Sequence, residues 1–280
     1  MQEARPSRTA LRVALRRAAH QIYDDPVVFH DPIAVPILGQ EYVSEVHKTS
    51  TKLNKQFSVA LRAFLIARSV YAEDCLRQAV SRGVAQYVLL GAGLDTFAYR
   101  NPYAGLHVYE VDHPATQAWK RDLLQSSDIA IPESLTYVPV DFEHQNLAEQ
   151  LAGAGFDRSK PAFFAWLGVV PYLTLPAFRA TLSFVASLPA GSGVVFDYGQ
   201  PRSVLPEVEQ LMHDSLASRV ALAGEPFQLF FTPHEIAAEL AGFYDVEDLG
   251  TSELNSRYFA NRTDQLLARG SAGRIVSAWL

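Results

Sequence analysis

The chain has 280 residues, 49% of them hydrophobic and 19% charged, which is typical of a globular protein with a sizeable core. The formal net charge of −6 excludes a sequence-wide basic field that would hold nucleic acid or an anionic membrane. The chain starts without the apolar core of a signal peptide, contains no apolar run near the roughly 20 residues of a membrane helix, and has one cysteine, Cys75. We therefore expect a soluble, cytoplasmic protein with neither nucleic acid nor a membrane as a partner.

Residues 9 to about 82 are predicted to be helical, because apolar residues recur there every three or four positions. Pro26 and Pro32 interrupt the pattern, since a residue before proline is pushed out of the helical conformation. Gly83 fits the C-cap of the last helix. We expect residues 1–82 to form an N-terminal helical cap or lid.

An arginine-rich stretch begins this region and comprises Arg5, Arg8, Arg12, Arg16 and Arg17. One interpretation is a solvated helix face. The other is a lid that attracts an acidic substrate, with His20 as a further basic group. The sequence leaves both open.

Beyond residue 83 the pattern changes to short apolar runs separated by helical stretches. Five runs read as buried parallel strands, at residues 87–90, 106–111, 135–140, 162–167 and 194–198. Two further candidates, at residues 244–249 and 274–280, would form an antiparallel edge. This order predicts an α/β fold: a Rossmann-like, seven-stranded, mostly parallel sheet with an antiparallel edge strand. Residues 83–280 would form the catalytic domain, in one structural unit with the cap.

The first strand is followed by Gly91, Ala92 and Gly93. Glycines there let the backbone turn sharply and approach a ligand closely. Two carboxylates, Glu110 and Asp112, come about 20 residues later at the end of the second strand, where a carboxylate can accept both hydroxyls of a ribose. The pair of features indicates a nucleotide-like cofactor.

The third position of a dinucleotide fingerprint, normally glycine, is Thr96 here, and Asp95 beside it would repel a pyrophosphate. S-adenosyl-L-methionine (SAM) carries no phosphate, so the residues favour SAM over NAD. An NAD-dependent oxidoreductase stays as an alternative.

Several ordered motifs resemble the leucine carboxyl methyltransferase family, which includes bacterial class I SAM-dependent O-methyltransferases. They are Gly91-Ala-Gly-Leu-Asp-Thr-Phe-Ala-Tyr-Arg100, Tyr109-Glu-Val-Asp-His-Pro114, Val140-Asp-Phe142, Ala165-Trp-Leu-Gly-Val-Val-Pro-Tyr172-Leu-Thr174 and Arg257-Tyr-Phe-Ala-Asn-Arg262, with Asp31-Pro32 near the start. The resemblance spans nearly the whole chain. It implies a methyltransferase with SAM as its cofactor. Separately, no His or Cys pairs lie at zinc-ligand spacing, so we expect no metal site.

The resemblance also implies a role for each matching residue. Gly91, Ala92 and Gly93 would border the methionine moiety of SAM, and Arg68 would bind its carboxylate. Asp112, or less favourably Glu110, would hold the ribose. Asp141 would hydrogen-bond the adenine amino group, with Phe142 beside the ring; the alternative for Asp141 is a helix N-cap.

Tyr172, which the family places after the fourth strand, and His113 are the candidate catalytic residues. A carboxylate acceptor needs no base near neutral pH, whereas a hydroxyl acceptor does. We expect O-methylation of a small-molecule acceptor that is acidic, at a carboxylate rather than a hydroxyl. The oligomeric state is open.

One position departs from the family pattern. Leu167, in the cofactor site, stands where an acidic residue usually lies beside the charged centre of SAM. Glu110 or Asp197 would have to compensate for the lost charge. The alternative is a SAM-binding family member without methyl-transfer activity, in a structural or regulatory role.

Overall fold

A seven-stranded sheet is the centre of the computed structural model, which describes residues 7–142, 145–222 and 224–280. Its strands are β1 (Gln86–Leu90), β2 (His107–Asp112), β3 (Leu135–Pro139), β4 (Phe163–Trp166), β5 (Gly193–Gly199), β6 (Tyr244–Leu249) and β7 (Gly273–Trp279). Their order across the sheet is β3-β2-β1-β4-β5-β7-β6. Strands β1 to β5 are parallel to one another, and β7 is antiparallel to both β5 and β6.

The predicted Rossmann-like fold is confirmed, with two refinements. The antiparallel strand β7 lies inside the sheet, and β6 forms the edge. Strand β4 ends at Trp166, so Leu167 lies in the turn that follows and not in the strand. Gly168 has φ +73 in that turn, a left-handed conformation that ends the extended chain.

The helices pack on both faces of the sheet and over its carboxyl ends. In the described part of the chain they are α1 (Arg8–Tyr23), α2 (Gly39–Lys48), α3 (Ser50–Leu53), α4 (Gln56–Ser81), α5 (Pro114–Ser126), α6 (Leu147–Gly153), α7 (Leu175–Ala186), α8 (Glu207–Ala221), α9 (Pro233–Glu239) and α10 (Thr251–Tyr258). Among the described residues, no helix combines the length and the apolar character needed to cross a bilayer.

Alternate residues of each central strand enter different halves of the core, as the two-residue period of a strand requires. Tyr87 and Leu89 of β1 pack on the face covered by α4, and Val88 and Leu90 pack on the face covered by α7. Helix α4 is therefore part of the core of the sheet. The helices α1 and α2 form a third, separate cluster that also includes Leu94.

A buried ion pair fastens α1 to the loop after β1. The Nη2 atom of Arg17 donates to Asp31 Oδ2 at 2.5 Å and to Thr96 Oγ1 at 2.6 Å, and Nη1 donates to Asp95 Oδ2 at 3.3 Å. Burial alone would raise the pKa of Asp31, but the charges of Arg17 and Arg100 outweigh it and lower that pKa below its usual value. Thr96 and Asp95, the two residues that argue against a bound pyrophosphate, thus accept hydrogen bonds from Arg17 of the cap.

Replacing Arg17 by methionine should destabilise the fold by about 3 kcal/mol, because it removes one partner of a buried ion pair. Arg77→Met is the matched control. That side chain is 67% exposed and pairs with Asp74, so its loss should cost about 0–1 kcal/mol. Urea unfolding followed by circular dichroism measures both values. Equal losses in the two variants would contradict a structural role for the buried pair.

Candidate active site

A cavity of 1470 Å³ lies at the carboxyl ends of the parallel strands. Its walls come from the loops after β1 to β4, from α1, α4 and α8, and from residues 224–228. The strand order reverses between β1 and β4, and such a switch point is where open α/β sheets bind ligands. The volume exceeds the range of about 300–1,000 Å³ for a single small-molecule pocket, so a cofactor and an acceptor can fit together.

The glycine loop after β1 forms the floor of the cavity. Gly91 and Gly93 have φ +65 and +50. A Cβ on Gly91 would lie 2.3 Å from Cγ2 of Val169, and one on Gly93 would lie 3.1 Å from Cβ of Ala10. Both positions therefore need glycine for conformation and for close packing. Gly91, Ala92 and Gly93 all line the cavity, so a ligand can approach their backbone.

Asp112 is held at the rim of β2 by two backbone groups. Its Oδ2 accepts from the N–H of Gly93 at 2.6 Å, and its Oδ1 accepts from the N–H of His113 at 2.6 Å. Each oxygen keeps a second lone pair, and the side chain lines the cavity. The carboxylate is thus fixed in place to accept from neighbouring hydroxyls.

The structure does not bring Glu110 into the cavity, and the sequence-based assignment of it as an alternative ribose ligand is corrected. Its side chain is fully buried and accepts from Lys120 Nζ at 2.7 Å. Burial raises the pKa of Glu110 to about 7, against the opposing charge of Lys120. Glu110 lies two residues before the end of β2, where α5 covers it, and only Asp112 reaches the rim.

Asp141 and Phe142 follow β3 and both line the cavity. The N-cap of α6 is Asn146, whose Oδ1 accepts from the N–H groups of Ala148 and Glu149. Asp141 is therefore not the N-cap. Its place after β3 puts it beside the loop after β2, since parallel strands end at the same edge of the sheet.

Arg68 and Asp197 form a buried ion pair beside Leu167. Arg68 Nη1 donates to Asp197 Oδ2 at 2.7 Å, and Asp197 Oδ1 accepts from the N–H of Gly168 at 2.5 Å. Leu167 is half-buried and lines the cavity together with both charged residues. The turn has leucine at position 167 instead of an acidic residue, but Asp197 of the neighbouring strand β5 places a carboxylate next to that turn.

The two candidate catalytic side chains line the cavity in forms that do not suit a base. His113 Nδ1 accepts from the N–H of Ala115 at 3.2 Å and caps α5, an arrangement that assigns the proton to Nε2. Burial raises the pKa of Tyr172 above its usual value, so its phenol stays protonated at neutral pH. Each side chain can donate a hydrogen bond there.

The arginine-rich stretch divides between two roles. Arg17 is buried in the ion pair with Asp31, Arg12 and Arg16 line the cavity, and Arg8 is exposed. Arg5 lies outside the described residues. His20 is fully buried, with Nδ1 2.8 Å from Asp24 Oδ2 and Nε2 accepting from two backbone N–H groups. The interpretation of His20 as a lid residue facing a substrate is therefore wrong.

Sequence reasoning missed His213, which lines the cavity from α8. Both of its ring nitrogens are inaccessible to solvent and have no hydrogen-bond partner among the described residues. Asp214 Oδ1 lies 3.7 Å from Nδ1, within ion-pair distance of a protonated ring. No motif surrounds His213, so only the fold reveals that it lines the cavity.

Gly91→Ala should destabilise the protein by about 2–5 kcal/mol, because a residue with a side chain is strained at φ +65 and its Cβ collides with Val169. Gly39→Ala is the matched control, since Gly39 also has φ +65 but nothing lies within 4 Å of an added Cβ. Gly39→Ala should lower the free energy of unfolding only by the cost of placing a side chain at a positive φ. Thermal unfolding of both variants measures the difference, and equal costs would contradict the close packing at Gly91.

Comparisons with known proteins identify a family and relatives of the chain. The leucine carboxyl methyltransferase family matches residues 10–186. YktD of Bacillus subtilis, provisionally named an S-adenosyl-L-methionine-dependent methyltransferase, is 33% identical over 96% of both chains. A provisionally named methyltransferase of the same cofactor class from Mycolicibacterium smegmatis is 33% identical over 69% of this chain and 67% of its own.

Solved structures show the same fold. One from Thermobifida fusca, provisionally titled a methyltransferase, superposes with a TM-score of 0.59 at 16% identity, covering 99% of this chain and 96% of its own. A DUF574 family protein from Streptomyces avermitilis superposes with a TM-score of 0.55 at 17% identity, over 87% of this chain and 94% of its own. The family match and the identity to YktD together show that the chain belongs to the leucine carboxyl methyltransferase family.

Proposed function

We propose that this protein is a SAM-dependent O-methyltransferase that methylates a carboxylate of a small molecule in the cavity described above. SAM-dependent methyl transfer follows from family membership and from the names of the relatives. The observation that supports the site most strongly is convergence: the residues that resemblance assigns to SAM, Glu110 apart, line one cavity although they come from widely separated parts of the chain.

In this proposal the ribose of SAM binds at Asp112, whose carboxylate is already oriented by Gly93 and His113. The adenine lies between the loops after β2 and β3, with Asp141 and Phe142. The methionine part crosses the glycine loop toward Arg68. The guanidinium of Arg68 has five donors and uses one on Asp197, which leaves others for the carboxylate of SAM.

Asp197 would take over the electrostatic role of the acidic residue that Leu167 replaces. Its carboxylate lies in a partly enclosed site, where a charge interaction with a sulfonium is stronger than in water. This argument favours an active enzyme over a SAM-binding protein without methyl transfer. The NAD-dependent alternative is disfavoured, because Arg17 occupies the turn at Thr96 and the family is one of methyltransferases.

The reaction is an in-line displacement. A carboxylate oxygen of the acceptor attacks the methyl carbon, the carbon–sulfur bond breaks, and its electron pair neutralises the sulfonium to give S-adenosylhomocysteine. No proton is transferred, so the enzyme has to position the acceptor and exclude water. The protonated phenol of Tyr172 can donate a hydrogen bond that orients the acceptor. The absence of a base in His113 and Tyr172 is what favours a carboxylate over a hydroxyl.

Titration calorimetry with SAM and with S-adenosylhomocysteine tests cofactor binding. Asp112→Ala and Arg68→Met should each weaken binding about tenfold or more, since each removes a charge-assisted hydrogen bond to the ligand. Arg77→Met, at an exposed site outside the cavity, should bind as the parent protein does. Unchanged binding in both cavity variants, or no binding by the parent, would contradict the proposed site.

Methylation of a hydroxyl is a second candidate, and His213 is the observation that favours it. His213 lines the cavity and neither of its ring nitrogens has a hydrogen-bond partner in the described part of the chain, so its imidazole can act as a base there. If the acceptor is a carboxylate, His213→Asn should leave kcat nearly unchanged with no new pH dependence. If the acceptor is a hydroxyl, kcat should fall about 100-fold or more. Release of S-adenosylhomocysteine, measured across pH for both proteins, separates the two reactions.

A further inference from the structure

Three arginines line the side of the cavity formed by α1 and α8: Arg12, Arg16 and Arg219. Arg12 and Arg16 are one helical turn apart, and Nη1 of Arg16 donates to the carbonyl of Arg12 at 3.0 Å. Arg219 Nε donates to the carbonyl of Ser215 at 3.1 Å. In residues 7–142, 145–222 and 224–280, none of the three pairs with a carboxylate.

Of the three arginines, Arg16 has a buried donor without a hydrogen-bond partner among the described residues. That donor is Nε, which is inaccessible to solvent. Burial, and then the charges of Arg12, Arg219 and Arg62, lower the pKa of Arg16 to about 10. The positive charges of Arg12 and Arg219 repel the charge of Arg16, so an anion between the three side chains would be stabilised.

The acids nearby are already engaged. Asp24 accepts from Arg62 at 2.6 and 2.8 Å, and Glu225, at the cavity wall, accepts from the hydroxyl of Thr9. The bond from Thr9 leaves the negative charge of Glu225 in place, but neither Asp24 nor Glu225 forms an ion pair with any of the three arginines. In the described part of the chain, the cationic cluster at this half-enclosed cavity therefore has no ion-pair partner.

The wall next to the cluster is apolar and aromatic. The ring of Phe57 lies 5.9 Å from the guanidinium of Arg219, and Phe227 and Phe230 contact each other with their ring centres 6.0 Å apart. All three line the cavity, as does Met212. A ligand that contacts both the arginines and the apolar wall would have an anionic group attached to an apolar body.

The anion held by the arginines would be a poor methyl acceptor. A nucleophile bound by several guanidiniums has its electron density withdrawn, and the same cations repel the sulfonium that it must approach. The group that binds the cluster is therefore a different group from the one that is methylated.

We propose that Arg12, Arg16 and Arg219 bind an anionic anchor of the acceptor, a carboxylate or a phosphate, which is separated by an apolar body from the group that receives the methyl. This deepens the proposed function and rests on it. The acceptor class is then an apolar molecule with an anionic anchor at one end and the reacting carboxylate at the other.

Calorimetric titration of the full chain, both free and saturated with S-adenosylhomocysteine, tests this. The probes are linear α,ω-dicarboxylates of increasing length, their monomethyl and dimethyl esters, and inorganic phosphate. Dicarboxylates and monomethyl esters should bind and dimethyl esters should not. Arg16→Gln and Arg219→Gln should each weaken this binding about tenfold or more. Arg77→Gln, exposed and outside the cavity, should not change it.

Binding of phosphate with weak binding of carboxylates would assign a phosphate anchor. Equal binding of dimethyl esters, unchanged affinity in both cavity variants, or no binding of any anion would overturn the proposal. Each variant must also bind S-adenosylhomocysteine as the parent does, which shows that it is folded. If S-adenosylhomocysteine fails to bind the parent, the proposed function fails, and the anion titration of the free protein still decides whether the arginines form an anion site.

Discussion

The guanidinium of Arg17 is the contact on which the shape of the cavity depends. It joins Asp31 of the cap to Thr96 of the loop after β1, with all three side chains buried. A buried charge is tolerated only when it is paired, so α1 cannot move away from the loop without exposing or orphaning Arg17. Because α1 is held there, Ala10 lies against Gly93, and Arg12 and Arg16 face the cavity. The glycine-loop floor and the arginine wall of the cavity are therefore fixed by one interaction.

Charge is arranged differently at the two ends of the cavity. At the cofactor end, Arg68 is paired with Asp197, and Asp112 is held by backbone N–H groups, so each charge has a partner before any ligand arrives. Such preorganised groups do not have to reorient during the reaction. At the other end, Arg16 lacks a carboxylate partner in the described part of the chain. In the proposed function, the paired end suits the cofactor and the unpaired end suits the acceptor.

The sequence predicts the sheet and the residues that line the cavity at the ends of β1 to β3, for a physical reason. A buried parallel strand needs a continuous apolar run, and glycines and carboxylates that follow such runs must meet at the same edge of the sheet. Gly91, Gly93, Asp112 and Asp141 could all be located in this way. The choice between Glu110 and Asp112 could not, because residues two apart in a strand face the same side. Only the contact of Lys120 with Glu110, which the structure shows, distinguishes the buried carboxylate from the one at the rim.

The acceptor end is harder to predict because its side chains meet through tertiary packing. Arg16 and Arg17 are adjacent in the sequence and both line the cavity, yet only Arg17 pairs with a carboxylate, Asp31, which lies 14 residues away in a segment without a regular pattern. His213 lies on α8, which has no periodic apolar face, so no local signal places it in a site. His113 is the N-cap of α5 because one ring nitrogen accepts from a backbone N–H group, and the orientation of that ring cannot be read from the sequence.

The most direct test of the account is the chemistry of the transferred methyl group. The purified protein would be incubated with SAM labelled at its methyl group and a small-molecule metabolite extract, with the Asp112→Ala variant as a blank. If a carboxylate is methylated in this cavity, the label should enter small molecules and be released by mild alkali as volatile methanol, as a methyl ester requires, with none transferred by the variant. Label that resists alkali, or transfer by the variant equal to that of the parent, would contradict carboxylate methylation in this cavity.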